Sequence, residues 1–523
     1  MKEKNEITRA AGVMGLATGL SRVFGLVRDV VVARLFGAGF GADAFFMAFT
    51  IPNLLRRFFA EGSLTAAFVP TFSSVHHTQG ADEGRRVANI CWTLLLLVMA
   101  AVTLFGIWAS PWIVRAIGYG FSAVPGKLEL TSFLNRLMFP YIFFVSLLAL
   151  ATGILNVLGH YFWPSVSVVL LNLSMIVSGY FLADYFDAPV TALAIGVLIG
   201  GFLQLAVQFP VLKRHGVRFR LDFNFRHPAV LKVVRLMLPG LLGVAIYQIN
   251  IVVTRLLASF LPEGSVSYLY FGQRLFEFPQ GIFVVSLAQA VLPAMSRQVA
   301  AGDQAGFKDS LRFALVLIGL ITLPATVGLV LCSLPVYSLF FMHGAFGYED
   351  VWQSSLVLAA YAPGLLFVGI SRVVVPSFYA MNDTRTPVWV SFWTLLVNAG
   401  LGLLLMKPFQ HVGLALALTL ASVFNCAVLL FLLRKRLGTL GLKHVAISMS
   451  RVIPGTLLMA AFVYAVVQGG NWNVAGSFWY KVMLLAVAVT GGGGIFSAGC
   501  IMMRVPEAKQ ASRFIRRKLG WVS

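Results

Sequence analysis

Six arginines lie inside apolar stretches of this sequence that are long enough to cross a lipid bilayer. They are Arg22, Arg28, Arg56, Arg57, Arg274 and Arg372. A guanidinium stays charged when it leaves water, and its planar fork of N–H donors matches the oxygens of a phosphate or diphosphate. A charged side chain at the centre of a spanning helix costs about 2.5–3.5 kcal/mol on insertion scales. We therefore expect these arginines either to pair with acids or to line a water-filled cavity.

Four acids in the same stretches can neutralise some of this charge: Asp29, Asp43, Glu61 and Glu277. If each acid pairs with one arginine, six arginines less four acids leave an excess of two positive charges. Surplus arginine favours an anion, whereas a transporter of organic cations is expected to carry surplus carboxylate. The alternative interpretation is a set of salt bridges that only fix helix packing, for example Arg57 with Glu61 or Arg274 with Glu277.

Helical periodicity gathers these charges on single faces. On the first helix one arc of about 120° holds Thr18, Ser21, Arg22, Gly25, Arg28 and Asp29, and the far side holds Leu16, Leu20, Val23, Val27 and Val30. The second helix has a stripe of Asp43, Thr50, Asn53, Arg57, Glu61 and Thr65, from which Arg56 points about 100° away. Two further arginines, Arg34 and Arg255, are each the fourth residue of a VVxRL run, and we expect both to snorkel to the outer interface.

The composition is that of a polytopic membrane protein. Of the 523 residues, 59% are hydrophobic and only 11% are charged, which lies far outside the range of soluble domains. At about 20 residues per crossing helix, the apolar stretches predict an all-α fold of about fourteen transmembrane helices. We place the spans near 8–36, 43–74, 86–110, 128–158, 161–183, 190–212, 230–260, 264–298, 309–341, 350–381, 384–407, 411–433, 448–468 and 479–503.

The distribution of basic residues predicts the orientation. With a cytoplasmic N-terminus, most lysines and arginines fall on the cytoplasmic side, and the opposite face has only Arg115, Lys127, Lys407 and Lys481. This asymmetry follows the positive-inside rule and puts both termini in the cytoplasm. The net charge of +21 is thereby explained without a nucleic-acid partner. The first apolar segment is interrupted by charges and has no small-residue cleavage site, so we expect no removable signal peptide.

The chain repeats itself at a spacing of about 221 to 223 residues, as in VVARL (31–35) and VVTRL (252–256). Two parallel six-helix lobes follow, with domains predicted at 1–220, 221–440 and 441–523; the last holds helices thirteen and fourteen and a basic cytoplasmic tail. The charges do not follow the repeat, because Arg22 and Arg28 fall against Gly243 and Ile249. This favours an asymmetric site between two lobes over a symmetric pore.

No motif points to catalysis, a metal or ATP. The sequence has no GxxxxGK[ST] and no HExxH, and its four cysteines lie in apolar segments without CxxC spacing. The GGGG run at 491–494 lies in the last span, where glycine favours close helix contact over phosphate binding. An integral-membrane enzyme acting on polyprenyl phosphates remains a remote alternative, because no loop is large enough for a catalytic domain.

Several long motifs resemble the MurJ (MviN) family, the lipid II flippases of the multidrug/oligosaccharidyl-lipid/polysaccharide exporter superfamily. They are SRVFGLVRD (21–29), GADAFF (41–46), IPNLLRRFFAEGSLTAAFVP (51–70) and QRLFEFPQG (273–281). The resemblance covers nearly the whole chain. It implies movement of lipid II, an undecaprenyl-diphosphate-linked peptidoglycan precursor, from the inner to the outer leaflet of the bacterial cytoplasmic membrane. A flippase for another polyprenyl-diphosphate-linked glycan is the alternative.

The resemblance also implies a site. The family's cavity charges fall on Arg22, Arg28, Asp29, Asp43, Arg56, Arg57 and Arg274, and the cluster that holds the diphosphate matches Arg28, Asp29 and Arg274. Glu61, Glu277 and Arg372 are candidates for a gate or for ion coupling. Alternating access is the expected mechanism, with no cofactor, and with the membrane potential or a coupled ion as its energy source. The expected partners are lipid II, membrane lipids and the machinery of peptidoglycan synthesis.

Overall fold

The computed structural model describes the backbone of residues 2–59 and 63–503; within these ranges side chains are described from residue 19 onwards, except at 59, 63, 238–244, 246 and 247. Within these ranges the chain is helical and contains no strand, which confirms the all-α prediction. The helices are α1 (Lys2–Phe36), α2 (Phe40–Phe59), α3 (Ser63–Thr78), α4 (Ala81–Ile117), α5 (Lys127–Met138), α6 (Tyr141–Val157), α7 (Phe162–Leu182), α8 (Thr191–Ala206), α9 (Phe209–Arg214), α10 (Pro228–Ser259), α11 (Ser265–Pro279), α12 (Val285–Ala300), α13 (Gln304–Leu331), α14 (Ser333–Phe340), α15 (Tyr348–Tyr361), α16 (Gly364–Ala380), α17 (Arg385–Leu437), α18 (Leu442–Gln468) and α19 (Phe478–Met502). Short 3₁₀ turns occupy Tyr119–Ala123 and Ala183–Tyr185, and a π-helical turn occupies Gln280–Val284.

In the described part of the chain, nine helical segments are long and apolar enough to cross a membrane, or ten if α15 and α16, bent by 41°, form one span. The protein is therefore a multi-pass membrane protein. Helices α1, α2, α3, α10 and α14 fall outside this set. The total of about fourteen spans stays a prediction.

Helix α17 contains two predicted spans. Its 53 residues are about 80 Å long at 1.5 Å per residue, more than twice the thickness of the hydrocarbon core. The helix is broken at Gln410, whose backbone is non-helical (φ 50°, ψ −131°), two residues after Pro408. Since proline cannot donate to the preceding turn, it favours a break nearby. The break lies between the two spans predicted at 384–407 and 411–433.

The helix positions repeat along the chain. Helices α4 and α13 begin at Ala81 and Gln304, and α6 and α16 begin at Tyr141 and Gly364, each pair being 223 residues apart. The same offset separates the starts of α7 and α17. A proline, Pro140 or Pro363, directly precedes α6 and α16, at the break between two helices in each copy. The structure thus agrees with the duplication seen in the sequence.

The chain divides into two compact units, Met1–Ser267 and Tyr268–Ser523. This division follows packing, whereas the three predicted domains follow the sequence repeat, and their boundaries stay a prediction.

In the first unit α7 packs against α1 and α8, α2 against α5, and α3 against α10. The approach of α8 to α7 needs glycine, because a Cβ on Gly196 would lie 2.8 Å from the Cα of Met175. Among the largest fully buried side chains of this unit are Phe45, Phe68, Phe72 and Tyr141.

In the second unit α18 packs against α13 and α19, and α16 packs against α17. Part of the GGGG run supports this packing, since a Cβ on Gly491 would lie 2.6 Å from the Phe462 ring. Lys481 is buried near the start of α19. Its Nζ donates to Ser338 Oγ (2.9 Å) and to the carbonyl oxygen of Val474 (2.6 Å). This network ties the α18–α19 connection to α14.

Candidate functional site

Arg28 and Asp29 form a buried polar group in α1. Arg28 Nε and Nη2 donate to Asp29 Oδ1 at 3.0 and 2.6 Å, and Arg28 Nη1 donates to Asn172 Oδ1 in α7 at 3.0 Å. Only 5% of Arg28 and 3% of Asp29 is exposed. A guanidinium and a carboxylate at this depth are stable only when paired and hydrogen-bonded. In this structure Arg28 is therefore held by an acid and an amide.

From residue 19 onwards, the burial of the α1 side chains agrees with the predicted division into two faces. Leu20, Val23 and Val27 are exposed, while Arg28 and Asp29 are buried. In a membrane-spanning helix the exposed apolar face is the one that meets lipid. Asn172 was not anticipated from the sequence, because no periodicity rule connects a position in α1 with one in α7.

Asp43 lies at the centre of a second buried group, with 1% of its surface exposed. Its Oδ2 accepts from Lys127 Nζ (2.9 Å) and from the amide of Gly264 (2.8 Å). Its Oδ1 accepts from the amide and the hydroxyl of Ser267, at 2.9 and 2.7 Å. Two of these donors belong to the backbone at the start of α11, so the carboxylate also satisfies the N-terminus of that helix.

Lys127 is the counter-ion of this group. It is only 2% exposed, and its Nζ lies 4.5 Å from the centre of the Phe121 ring and 5.7 Å from that of Phe40. From the sequence, Lys127 is predicted only to be one of the few basic residues of the opposite face. Since Asp43 pairs with this lysine, three of the four candidate acids are left for the six arginines. The predicted positive excess therefore rises from two to three.

The end of α2 carries the adjacent arginines. Both Arg56 and Arg57 are half-buried. Arg56 donates from Nε (3.2 Å) and Nη2 (3.0 Å) to Asn53 Oδ1, one turn earlier in the same helix. Arg22, on α1, is also half-buried. Glu61 lies outside the described residues, so its suggested pairing with Arg57 stays a prediction.

The remaining candidates belong to the second unit. Arg274 Nη1 lies 3.6 Å from Glu277 Oε2, and its guanidinium carbon lies 5.8 Å from the centre of the Tyr270 ring. Glu277 Oε1 also accepts from Gln273 Nε2 at 3.1 Å. Arg274 is 38% exposed and thus far more accessible than Arg28. Arg372 is exposed in the middle of α16. The convergence of these residues with those of the first unit on one chamber stays a prediction.

The two VVxRL arginines differ from each other. Arg34 is exposed, as a snorkelling side chain would be. Arg255 is 7% exposed and donates from Nη1 to the carbonyl oxygen of Val266 (2.8 Å), so its predicted snorkelling is wrong. The carbonyl is near because the chain turns back after α10 into α11. The described residues contain no cluster of three or more His, Cys, Asp or Glu side chains that could hold a metal ion.

Comparison with known proteins shows which family this chain is similar to. The family model described as "Lipid II flippase MurJ" matches residues 32–483. A probable lipid II flippase MurJ of Vibrio cholerae serotype O1 is 38% identical over 425 residues, which are 80% of this chain and 81% of that protein. A solved "Lipid II flippase MurJ, inward closed conformation" is 27% identical with a TM-score of 0.75, covering 93% of this chain and 99% of that one.

A second solved structure, an inward-facing MATE family transporter of the MOP superfamily, has a TM-score of 0.69 at 15% identity, covering 80% of this chain and 95% of that one. At this identity the likeness shows the fold alone. The resemblance inferred from the motifs is thus confirmed by sequence and by fold. Because the family match includes most of the chain, from the end of α1 to the start of α19, the protein belongs to the MurJ family.

Proposed function

We propose that this protein moves lipid II from the inner to the outer leaflet of the bacterial cytoplasmic membrane. The observation that carries the proposal is membership of the MurJ family, whose model and curated relatives are described as lipid II flippases. The arginines inside apolar helices supply the matching chemistry, because the diphosphate of such a lipid presents oxygens to which guanidinium forks can donate. The lipid is moved and not chemically altered, so the protein is a transporter and not an enzyme.

In the proposed mechanism two lobes rock about a central cavity, and both termini lie in the cytoplasm. The diphosphate binds among Arg22, Arg28, Arg57 and Arg274, while the isoprenoid tail stays in lipid. Arg28 is buried together with Asp29 and Asn172. This supports the proposal that side chains able to bind phosphate lie inside the apolar region. For the diphosphate to bind Arg28, its oxygens must replace the carboxylate or the amide as acceptors.

We further propose that the membrane potential or a coupled ion drives the cycle without ATP. A potential contributes about 2.3 kcal/mol per elementary charge per 100 mV. Asp29, Asp43, Glu61 and Glu277 are the candidate acids for such coupling. Asp29 and Glu277 fit it well, since each lies beside a candidate arginine. Asp43 fits this role less well, because Lys127 and three further donors already occupy its oxygens. The lipid is proposed to be passed on to the machinery of peptidoglycan synthesis.

The test is complementation of a strain depleted of its own lipid II flippase. The chain should restore growth, whereas Arg274→Ala should not. Arg274→Lys should also fail, because a point charge does not reproduce the fork. Arg34→Ala is the matched control, since it removes an exposed arginine outside the candidate site.

Failure of the unaltered chain to restore growth would refute lipid II as the substrate and favour another polyprenyl-diphosphate-linked glycan. Normal growth with Arg274→Lys would show that only net charge matters. In a parallel assay, purified protein should leave lipid II chemically unchanged, and any product would refute the transporter assignment. Protein levels in the membrane must be equal for all variants.

A further inference from the structure

The segment Val217–His227, which joins α9 to α10, runs along the first turns of α4, and we call it the strap. The amide of Arg220 donates to Asn89 Oδ1 (3.2 Å), and the amide of Asp222 donates to Thr93 Oγ1 (2.9 Å). Asn89 and Thr93 are one turn apart on the same face of the helix. The strap is thus fixed to α4 through its own backbone.

Side chains secure the strap at both of its ends. Near its start, the Phe219 ring stacks on Trp92 with 3.8 Å between ring centres and 13° between planes. At its end, His227 Nε2 lies 2.9 Å from Glu83 Oε1, in the first turn of α4. The strap therefore presents a defined outer face.

The strap lies at the level where α4 enters the apolar part of the membrane. From Val87 to Val114, α4 has no charged residue, while its first turns contain Asp82, Glu83, Arg85 and Arg86. Those 28 residues are more than enough to span a hydrocarbon core, which needs about 20. The contacts at Asn89 and Thr93 fall at the start of this run, so the strap lies at the level of the lipid headgroups.

The strap exposes both apolar and cationic side chains. Leu221 and Phe223 are 64% and 61% exposed. The exposed cations are Arg218, Arg220 and Arg226. The one carboxylate of the strap does not neutralise them: Asp222 accepts from the amide of Asn224 (3.0 Å) and lies 3.7 Å from Arg86 Nε. The strap thus exposes three positive charges and two large apolar groups within nine residues.

We propose that the strap is a docking surface for the headgroups of anionic phospholipids in the leaflet that it borders. Leu221 and Phe223 enter the lipid, and the three arginines bind phosphates. The mixture of apolar and cationic side chains matches a surface that is apolar on one side and anionic on the other. A bilayer interface is such a surface, whereas a dissolved anion is not. The inference is independent of lipid II transport and requires only that α4 spans the membrane.

The experiment uses the full-length protein with Phe223→Cys carrying a fluorophore. The four native cysteines are buried, so labelling is selective. The protein is placed in phosphatidylcholine nanodiscs that contain equal small fractions of either phosphatidylglycerol or phosphatidylcholine bearing a nitroxide on the headgroup. Quenching should be stronger with phosphatidylglycerol. Each arginine replaced by glutamine should lower this enrichment by about fivefold, so the triple variant R218Q/R220Q/R226Q should show almost none.

The matched control is R385Q/K435Q/K443Q, which removes three exposed cations from the second unit and should leave the enrichment unchanged. Equal quenching by the two lipids would overturn the proposal, as would an unchanged enrichment in the triple variant or an equal loss in the control. Free access of aqueous iodide to the label would also overturn it, because the strap would then lie in water. If the triple variant does not fold, the three single variants decide. A failed complementation test leaves this result untouched.

Discussion

Replacing Asp43 tests whether the buried group around it stabilises the first unit. In Asp43→Asn, Lys127 keeps its charge at 2% exposure but loses the carboxylate 2.9 Å away. Breaking a buried ion pair by removing one partner costs about 3–5 kcal/mol, because the other charge stays buried without compensation. We expect a loss of that size in the free energy of unfolding. Lys127→Met should lie at the lower end of the range, because three donors from Gly264 and Ser267 still reach the carboxylate.

The double variant Asp43→Asn with Lys127→Met removes both charges, so it measures how strongly these two residues interact with each other. Since no buried charge remains, its loss should be smaller than the sum of the two single losses by at least about 1 kcal/mol. The measurement is a denaturant titration of the purified protein in detergent micelles, followed by circular dichroism. Lys407→Met is the control, because this lysine is exposed and its replacement should change stability by less than about 0.5 kcal/mol. Additive losses, or single losses near that of the control, would refute the ion-pair argument.

Three further predictions concern groups outside the candidate site. Arg34→Ala should support growth like the unaltered chain in the complementation assay, because its side chain is exposed; loss of growth at normal protein level would contradict this. Lys481→Met should cost about 1–3 kcal/mol in the denaturant titration, because it leaves a buried hydroxyl and a carbonyl without their donor; a loss below about 0.5 kcal/mol would contradict it. Burial, followed by the charge of His215, lowers the pKa of His160 below its ordinary value of 6.5. The stability that depends on a neutral His160 is therefore fully present above pH 6.5 and is lost as the pH falls through the lowered pKa. His160→Asn should therefore flatten the fall in stability between pH 7.5 and 5, and an unchanged pH profile would contradict this.

Features that depend on one helix were predictable from the sequence. The two faces of α1 follow from residue spacing alone, and the exposure of Leu20 and the burial of Arg28 agree with it. The break in α17 follows from a proline between two apolar runs, and Gln410 provides it. Glycine in the last helix predicts close packing, which Gly491 makes against α18. In each case the physical cause acts within a few residues.

Features that join separate helices were not predictable. Asp43 was expected among the substrate-binding charges, yet its nearest cation is Lys127, 84 residues further on. Arg255 was expected to snorkel, but the chain turns after α10 and brings the carbonyl of Val266 within reach. Sequence spacing does not encode which helices become neighbours. A charged residue in an apolar run thus predicts that a partner exists, but it does not identify the partner residue.

The group around Asp43 also has a consequence for biogenesis. Lys127 leaves the ribosome 84 residues after Asp43, and Ser267 leaves it 224 residues after. At about 5–20 residues per second, synthesis needs roughly 4–17 s to reach the lysine and roughly 11–45 s to reach the serine. During that time the carboxylate has none of these donors, and a bare charge in hydrocarbon is costly. We therefore expect α2 to wait beside the translocon, or at the membrane surface, until the later helices have been made.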